Sequence, residues 1–180
     1  SKVVAASDPY ALGGYQATVG LINKLGMDSK HYFREVRFLG FPLDPLLYQV
    51  RDNNVDAAIT PLCTLEDMVT RGLINRDDFR ILNATKPAGF DCEVSTSLYP
   101  NWSFAASESV DSQLGKVITQ ALMNLPAEHP AAIKAQLMGW TSPISQLTVI
   151  KLFSDLGVTT SELNRWEILE HWLKQNRHLG

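Results

Sequence analysis

The first two-thirds of the sequence alternate short apolar runs with amphipathic stretches, and this alternation is the strongest constraint on the fold. Lys2 to Ala6, Glu35 to Leu39 and Val55 to Thr60 are three such runs. Between them, apolar residues recur at the spacing of a helix that buries one face. Strands and helices in alternation indicate βα units around a largely parallel sheet. The predicted fold class is therefore α/β, a mostly parallel sheet flanked by helices.

Turn residues mark the ends of the predicted helices. The apolar positions from Tyr15 to Leu25 predict the first helix, and Gly26 supplies the left-handed residue that ends it. A short helix is predicted at Leu46 to Arg51, and a third from about Thr64 to Arg71. Gly72 ends that third helix in the same way.

Later segments are predicted to be extended at first and then helical. Phe79 to Asn83 reads as a fourth strand, and roughly Val94 to Ala106 as another extended segment. From Val110 onward only helical spacing remains, and the last predicted helix begins at Thr159. We therefore expect an α/β ligand-binding lobe at 1–109. Residues 110–180 are expected to pack as helices on the lobe or to lead to a membrane span.

Composition narrows the functional classes. A formal net charge of -3 leaves no basic stripe of the kind that nucleic acid binding requires. No stretch approaches the roughly 18 apolar residues of a membrane-spanning helix. We expect any export signal or membrane attachment to lie in segments outside residues 1–180.

Ligand chemistry is expected in the loops that follow the strands, because an open α/β sheet binds ligands beyond the carboxyl ends of its strands. In the first loop, Gly13 and Gly14 let the backbone approach a ligand and direct the amides of a helix N-terminus at an anion or a carbonyl oxygen. The same glycines would also suit a tight turn without a ligand. The second loop, Gly40 to Asp44, contains Phe41, and the third runs from Pro61 to Cys63. Both are candidate walls of one cleft.

An enzyme would need a nucleophile with its base, or a metal cluster. The four histidines show no metal-ligand spacing. Cys63 lies between a strand and a helix, where a thiolate would be stabilised, so a cysteine hydrolase is an alternative. With Cys92 it could equally form a disulfide, a free buried pair or two isolated thiols. No catalytic residue, metal site or cofactor is predicted.

The order of several motifs resembles a known family. The motifs include Val55-Asp56-Ala57-Ala58, the stretch Ser95-Thr96-Ser97-Leu98-Tyr99-Pro100-Asn101-Trp102, and later Gly139-Trp140. From about Lys2 to Val158 the sequence resembles the phosphonate-binding-protein-like sensor domains of tetrathionate-type histidine kinases. The resemblance implies a type 2 periplasmic binding fold, in which two α/β lobes close on a small ligand. This chain would then supply the second lobe and the C-terminal helices.

The loops and the resemblance together predict a set of ligand-binding residues. They are Ser7, Tyr10, Gly13, Gly14, Tyr15, Phe41, Thr60, Cys63, Thr96 and Tyr99. The implied function is that of an extracytoplasmic small-ligand sensor domain of a membrane-bound two-component histidine kinase, on the periplasmic side of the inner membrane. A homodimer is among the expected assemblies. The alternative is the solute-binding protein of a phosphonate- or oxyanion-type ABC transporter.

The sequence departs from this family's pattern at three places. Relatives often carry a polar or basic residue after the third strand, an Arg in the Ser-Thr-Arg-Leu-Tyr-Pro signature and a His after the second strand. This chain has Pro61, Leu62 and Cys63, then Ser97, and Phe41 at those places. A sulfur or phosphorus oxyanion is a candidate ligand, but burying its charge with fewer polar partners is costly. A less charged ligand and a role in protein contacts are therefore alternatives.

Overall fold

A three-stranded parallel sheet organises the first part of the chain. The computed structural model describes residues 2–100, 103–135 and 139–158. Strands β1 (Val3–Ala6), β2 (Glu35–Phe38) and β3 (Ala57–Ala58) pair in the order β2-β1-β3. Val4 of the central strand β1 faces Val36 of β2 and Ala57 of β3. The prediction of an α/β fold with a parallel sheet is confirmed.

Helices follow each strand. A π-helical turn at Leu12–Gln16 continues directly into the first α-helix, and a 3-10 turn lies at Arg76–Asp78. The α-helices of the described residues are α1 (Ala17–Lys24), α2 (Ser29–Tyr32), α3 (Asp44–Arg51), α4 (Thr64–Thr70), α5 (Ser112–Met123), α6 (Pro130–Lys134) and α7 (Leu147–Asp155). Gly26 and Gly72, predicted as helix ends, both take positive φ angles, +78° and +69°.

The core lies on both faces of β1, because successive side chains of a strand point to opposite faces. All four residues of β1 are buried. Val3 and Ala5 pack on one face against Leu46 of α3, while Val4 and Ala6 pack on the other against Ile59. A third cluster joins α3 to α4 and consists of Leu47, Leu65, Met68 and Ile74. The central strand is thus buried on both faces.

The described residues fall into two compact units. The first contains residues 2–98 and 150–158, and the second contains residues 99–149. Within the first unit, Gly20 of α1 leaves room for Leu152, whose side chain would overlap a Cβ at residue 20. Within the second unit, Trp140 packs edge to face against Phe104 at 6.0 Å between ring centroids. The division after residue 109 into a lobe and a helical segment stays a prediction.

The fourth strand predicted at Phe79 to Asn83 is wrong. The segment is irregular, although Phe79 and Ile81 do pack against the cluster between α3 and α4. The guanidinium of Arg76 donates to the carbonyl of Phe79 at 2.7 Å, and Asn83 has a φ of +54°. The apolar alternation therefore reflects packing of an irregular segment and not a strand in the sheet.

Other predicted boundaries shift. The third strand, predicted at Val55 to Thr60, is only Ala57–Ala58, and the first helix begins at Leu12 and not at Tyr15. The extended segment predicted at 94–106 forms a single antiparallel bridge, between Val94 and Thr85. Trp102 and the helix predicted from Thr159 lie outside the described residues. No helix of the described ranges has the length and apolar content needed to cross a bilayer.

Candidate functional site

Three loops meet at the carboxyl edge of the sheet, each following one strand. The loop after β2 joins the loop after β1 because the amide of Gly40 donates to the carbonyl of Ser7 at 2.9 Å. The loop after β3 also contacts the loop after β1. A Cβ added to Gly13 would lie 3.8 Å from Pro61 Cα. The candidate site is this edge, with Ser7 and Gly13 at its centre.

The loop after β1 is held by its own hydrogen bonds. Asp8 Oδ1 accepts from the amide of Tyr10 at 2.8 Å, and the Asp8 carbonyl accepts from the amide of Ala11 at 3.1 Å. The side chain of Gln16, which is buried, donates to the carbonyl of Pro9. The Ala11 carbonyl accepts from both Tyr15 and Gln16 at 3.0 Å, which closes the π-helical turn. Single π turns are frequent at functional sites.

The amides of Leu12, Gly13 and Gly14 are left without acceptors among the described residues. They are the first three N–H groups of a continuous helical stretch that runs from Leu12 to Lys24. Such groups normally find a cap, water or a ligand, and the helix dipole makes them favourable for negative charge. The sequence predicted donors from Gly13 and Gly14, but not the amide of Leu12.

Ser7 adds a hydroxyl to these amides. Its side chain is 2% exposed, and its Oγ has no hydrogen-bond partner among the described residues. Ser7 packs so closely on Gly14 that a Cβ at residue 14 would overlap Ser7 Oγ. A buried hydroxyl without a partner costs free energy, so a ligand atom that supplied the missing bond would recover it.

Aromatic rings border the same edge. Tyr10 and Phe41 are each 75% exposed. Tyr15 is half-buried and packs edge to face against Phe38, with ring centroids 5.1 Å apart. Burial raises the pKa of the Tyr15 phenol above its ordinary value. The exposed rings of Tyr10 and Phe41 thus offer apolar surface at the rim.

No lysine, arginine or histidine occurs in the three loops, at 7–14, 40–44 and 60–63. The loops do carry two carboxylates, Asp8 and Asp44, and Asp44 pairs with Arg71 at 2.8 Å. Main-chain amides and hydroxyls are therefore the donors that these loops provide. Such donors stabilise an oxygen acceptor through their dipoles without a formal positive charge.

Cys63 ends the third loop and forms a disulfide with Cys92, their Cα atoms 5.3 Å apart. This pairing selects one of the alternatives that the sequence left open. It also removes the thiolate that a cysteine hydrolase would need, because a disulfide sulfur is not an activated nucleophile. Thr60 is half-buried in the same loop.

Two of the predicted site residues come from other segments of the chain. Thr96 is half-buried and donates its hydroxyl proton to the carbonyl of Ser97 at 3.1 Å, outside the three loops. Tyr99 belongs to the second unit. Gly40 and Pro61 belong to loops that the sequence predicts as walls of the cleft, although neither is in the predicted ligand-binding set. Gly40 has a positive φ of +71°, and the only sequence signal for that conformation is that the residue is a glycine.

A cavity of about 430 Å³ opens at the other edge of the sheet, where the strands begin. Two of the charged residues that line it pair with residues outside the lining: Arg37 binds Glu35 and Asp56 binds Lys2, each at 2.7 Å. We place the site at the carboxyl edge, where the unpartnered donors are. Within residues 2–100, 103–135 and 139–158, no three metal-ligating side chains form a group that could hold an ion.

Comparison with known proteins identifies relatives. A family model described as the periplasmic substrate-binding protein of a phosphonate ABC transporter matches residues 1–146. The tetrathionate sensor histidine kinase TtrS of Salmonella typhimurium strain LT2 is 38% identical over 176 residues, which is 98% of this chain and 28% of that protein. The chain therefore spans little more than a quarter of that relative's length. No solved structure matches at a significant level.

The family model covers most of the sequence and includes all three loops of the candidate site. The α/β lobe with its parallel sheet agrees with a periplasmic-binding-protein-like fold, as the resemblance implied. This chain belongs to the phosphonate-binding family of periplasmic substrate-binding proteins.

Proposed function

We propose that this chain senses a small periplasmic ligand as part of a membrane-bound histidine kinase, and that the ligand binds at the carboxyl edge of the sheet. One observation carries the proposal. Among the described residues the amides of Leu12, Gly13 and Gly14 lack acceptors, and the buried hydroxyl of Ser7, which packs on Gly14, lacks a hydrogen-bond partner. A guest with an oxygen acceptor would satisfy them together. The ligand-binding residues in this proposal are the members of the predicted set in or next to the three loops, with Ser7, Gly13 and Gly14 at the centre; they are Ser7, Tyr10, Gly13, Gly14, Tyr15, Phe41, Thr60 and Cys63.

The relative supports the sensor role. Its name describes a tetrathionate sensor histidine kinase, and the similarity covers 98% of this chain. Tetrathionate is thus one ligand to test, together with the phosphonates that the family description suggests. The kinase activity itself would reside in the longer protein. Attachment to the membrane and a homodimer are parts of the same proposal.

Ligand binding would act on signalling by shifting an equilibrium between conformations. A ligand shifts such an equilibrium only by its difference in affinity for the two states.

The experiment is a thermal-shift and calorimetric screen of the chain against tetrathionate, thiosulfate, methylphosphonate and acetate. We expect one of them to bind and to move the amide resonances of Leu12, Gly13 and Gly14. The amide of Gly115, in α5 of the second unit, is the internal control and should not move. Binding that leaves all three loop amides unchanged would place the ligand elsewhere and refute the proposed site.

A transport role is the second candidate, because the matching family is described as an ABC-transporter substrate-binding protein. The two roles differ in what ligand binding does. In membranes that contain the full-length protein, a sensor changes its autophosphorylation when ligand is added. A transport protein instead supports uptake of labelled ligand by its transporter, with no phosphorylation.

A further inference from the structure

A covalent bond fixes the third loop of the candidate site. The Cys63–Cys92 disulfide joins the end of that loop to a segment 29 residues further along the chain. Both cysteines lie in the first unit. What this bond holds in place depends on the conformation of the loop and on how firmly Cys92 is anchored.

The loop is a tight turn in a strained conformation. Cys63 has a φ of +62°, a left-handed conformation that residues other than glycine seldom adopt. Thr64 closes the turn by donating its hydroxyl proton to the Pro61 carbonyl at 2.9 Å. Pro61 in turn lies against Gly13, with Cα 3.8 Å from the position of a Cβ there. The left-handed residue therefore sets where Pro61 meets the loop that carries the free amides.

The other end of the disulfide is well anchored. Cys92 is 6% exposed. Two residues on, Val94 exchanges two backbone hydrogen bonds with Thr85, each 2.8 Å long. Glu93, which directly follows Cys92, pairs with Arg76 at 3.1 Å. The disulfide thus links the strained turn to a segment that is held by backbone hydrogen bonds and an ion pair.

We propose that Cys63 is a positioning residue of the ligand site, and that reduction of its disulfide weakens ligand binding. The proposal rests on the proposed function, since it concerns the same site. A dithiol would break the S–S bond by supplying two electrons and two protons, which leaves two thiols and converts the dithiol to its own disulfide. Without the tether, Cys63 would relax to a right-handed or extended conformation and draw Pro61 away from Gly13.

The first test needs no ligand. Amide resonances of Gly13 and Gly14 are recorded in the oxidised chain, after reduction with dithiothreitol, and after reoxidation. We expect both resonances to move on reduction and to return on reoxidation, while the Gly115 amide stays in place. Unchanged resonances in a reduced, folded chain would overturn the proposal.

The second test measures the dissociation constant of methylphosphonate, which does not react with thiols. Two double variants lack the disulfide and differ at one position: Cys63→Ala with Cys92→Ala, and Cys63→Gly with Cys92→Ala. Glycine adopts a positive φ at little cost. We expect affinity to fall about tenfold in the alanine pair and to be largely retained in the glycine pair. A disulfide that served stability alone would make the two variants equally weak or equally tight.

The outcomes separate this proposal from the proposed function. If the oxidised chain binds methylphosphonate and the reduced chain binds it equally well, Cys63 does not position the site, although the ligand-binding role stands. If the amides respond to reduction but no ligand of the screen binds, the disulfide positions the loop, while the proposed function fails and the predicted loss of affinity fails with it. Comparison of oxidised and reduced wild-type chain keeps the test decisive if a double variant does not fold.

Discussion

Gly14 packs against Ser7 so closely that the smallest side chain at residue 14 would overlap the serine hydroxyl. The pair places a buried, unpartnered Oγ beside the open amides of the π-helical turn. A glycine here is required by space and not by backbone angle, since its φ is not in the left-handed region. This close approach puts the hydroxyl and the amides within one small area of the sheet edge.

Replacing Gly14 with Ala should therefore lower both the stability of the fold and the affinity for ligand. The added methyl would meet Ser7 Oγ and come within 3.1 Å of Ala11 Cβ. We expect the free energy of unfolding to fall by about 1–3 kcal/mol, as for other overpacked positions. Ligand affinity should fall as well, since the first turn must move. Urea denaturation and calorimetry measure the two effects.

The matched control is Gly115→Ala in α5. Among the residues that the structure describes, none lies within 4 Å of a Cβ at residue 115. Because alanine favours a helix interior over glycine, stability should rise by up to about 1 kcal/mol, with ligand affinity unchanged. If Gly14→Ala behaved like this control, the close packing on Ser7 would be wrong.

A core substitution separates stability from binding. Met68 is 0% exposed and packs with Leu47, Leu65 and Ile74 in the cluster between α3 and α4. Met68→Ala should lower the free energy of unfolding by about 2–5 kcal/mol through the lost contacts and the cavity. The folded fraction should still bind ligand with its original affinity. If Met68→Ala lowered the affinity of the folded protein as much as Gly14→Ala does, binding would follow global stability.

Asp56 predicts a dependence of stability on pH. Hydrogen bonds from the Lys2 ammonium at 2.7 Å and from the Val3 amide at 2.8 Å hold the pKa of Asp56 below its usual range. A lowered pKa in the folded state stabilises the protein above the ordinary aspartate pKa of about 3.9. That contribution is lost as the pH falls from this value through the lower pKa of the folded state.

In denaturation experiments, Asp56→Asn should be less stable than wild type at pH 7. The difference should shrink as the pH is lowered below about 4, because wild-type Asp56 then becomes protonated as well. Other carboxylates titrate equally in both proteins and cancel in the comparison. A difference that stayed constant down to pH 3 would show that the charge of Asp56 has no part in it.

Much of the fold was predictable because local signals agreed with packing. The buried strand Val3–Ala6 and the helix ends at Gly26 and Gly72 follow from apolar periodicity and the need for left-handed residues. The signal failed at Phe79 to Asn83, where Phe79 and Ile81 alternate in burial without any partner strand. Periodicity reports which side chains are buried, and it does not report where backbone hydrogen bonds go.

The candidate site was predictable in part. Strand ends and the glycine pair indicated the loop from Ser7 to Gly14, where the amides of Leu12, Gly13 and Gly14 lack acceptors among the described residues. The contact of Pro61 with Gly13 and the pairing of Cys63 with Cys92 depend on how distant segments come together. No local pattern encodes such contacts, so the sequence left the state of the cysteines open.

The most direct test of the account is Ser7→Ala, with stability and ligand affinity measured on the same protein. Removing a buried hydroxyl that has no partner should leave the free energy of unfolding unchanged or raise it by about 1 kcal/mol. Removing a ligand's hydrogen bond should weaken binding about tenfold. Stability kept and affinity lost is the predicted result. Affinity kept at the wild-type value would contradict the claim that Ser7 and its neighbouring amides hold the ligand.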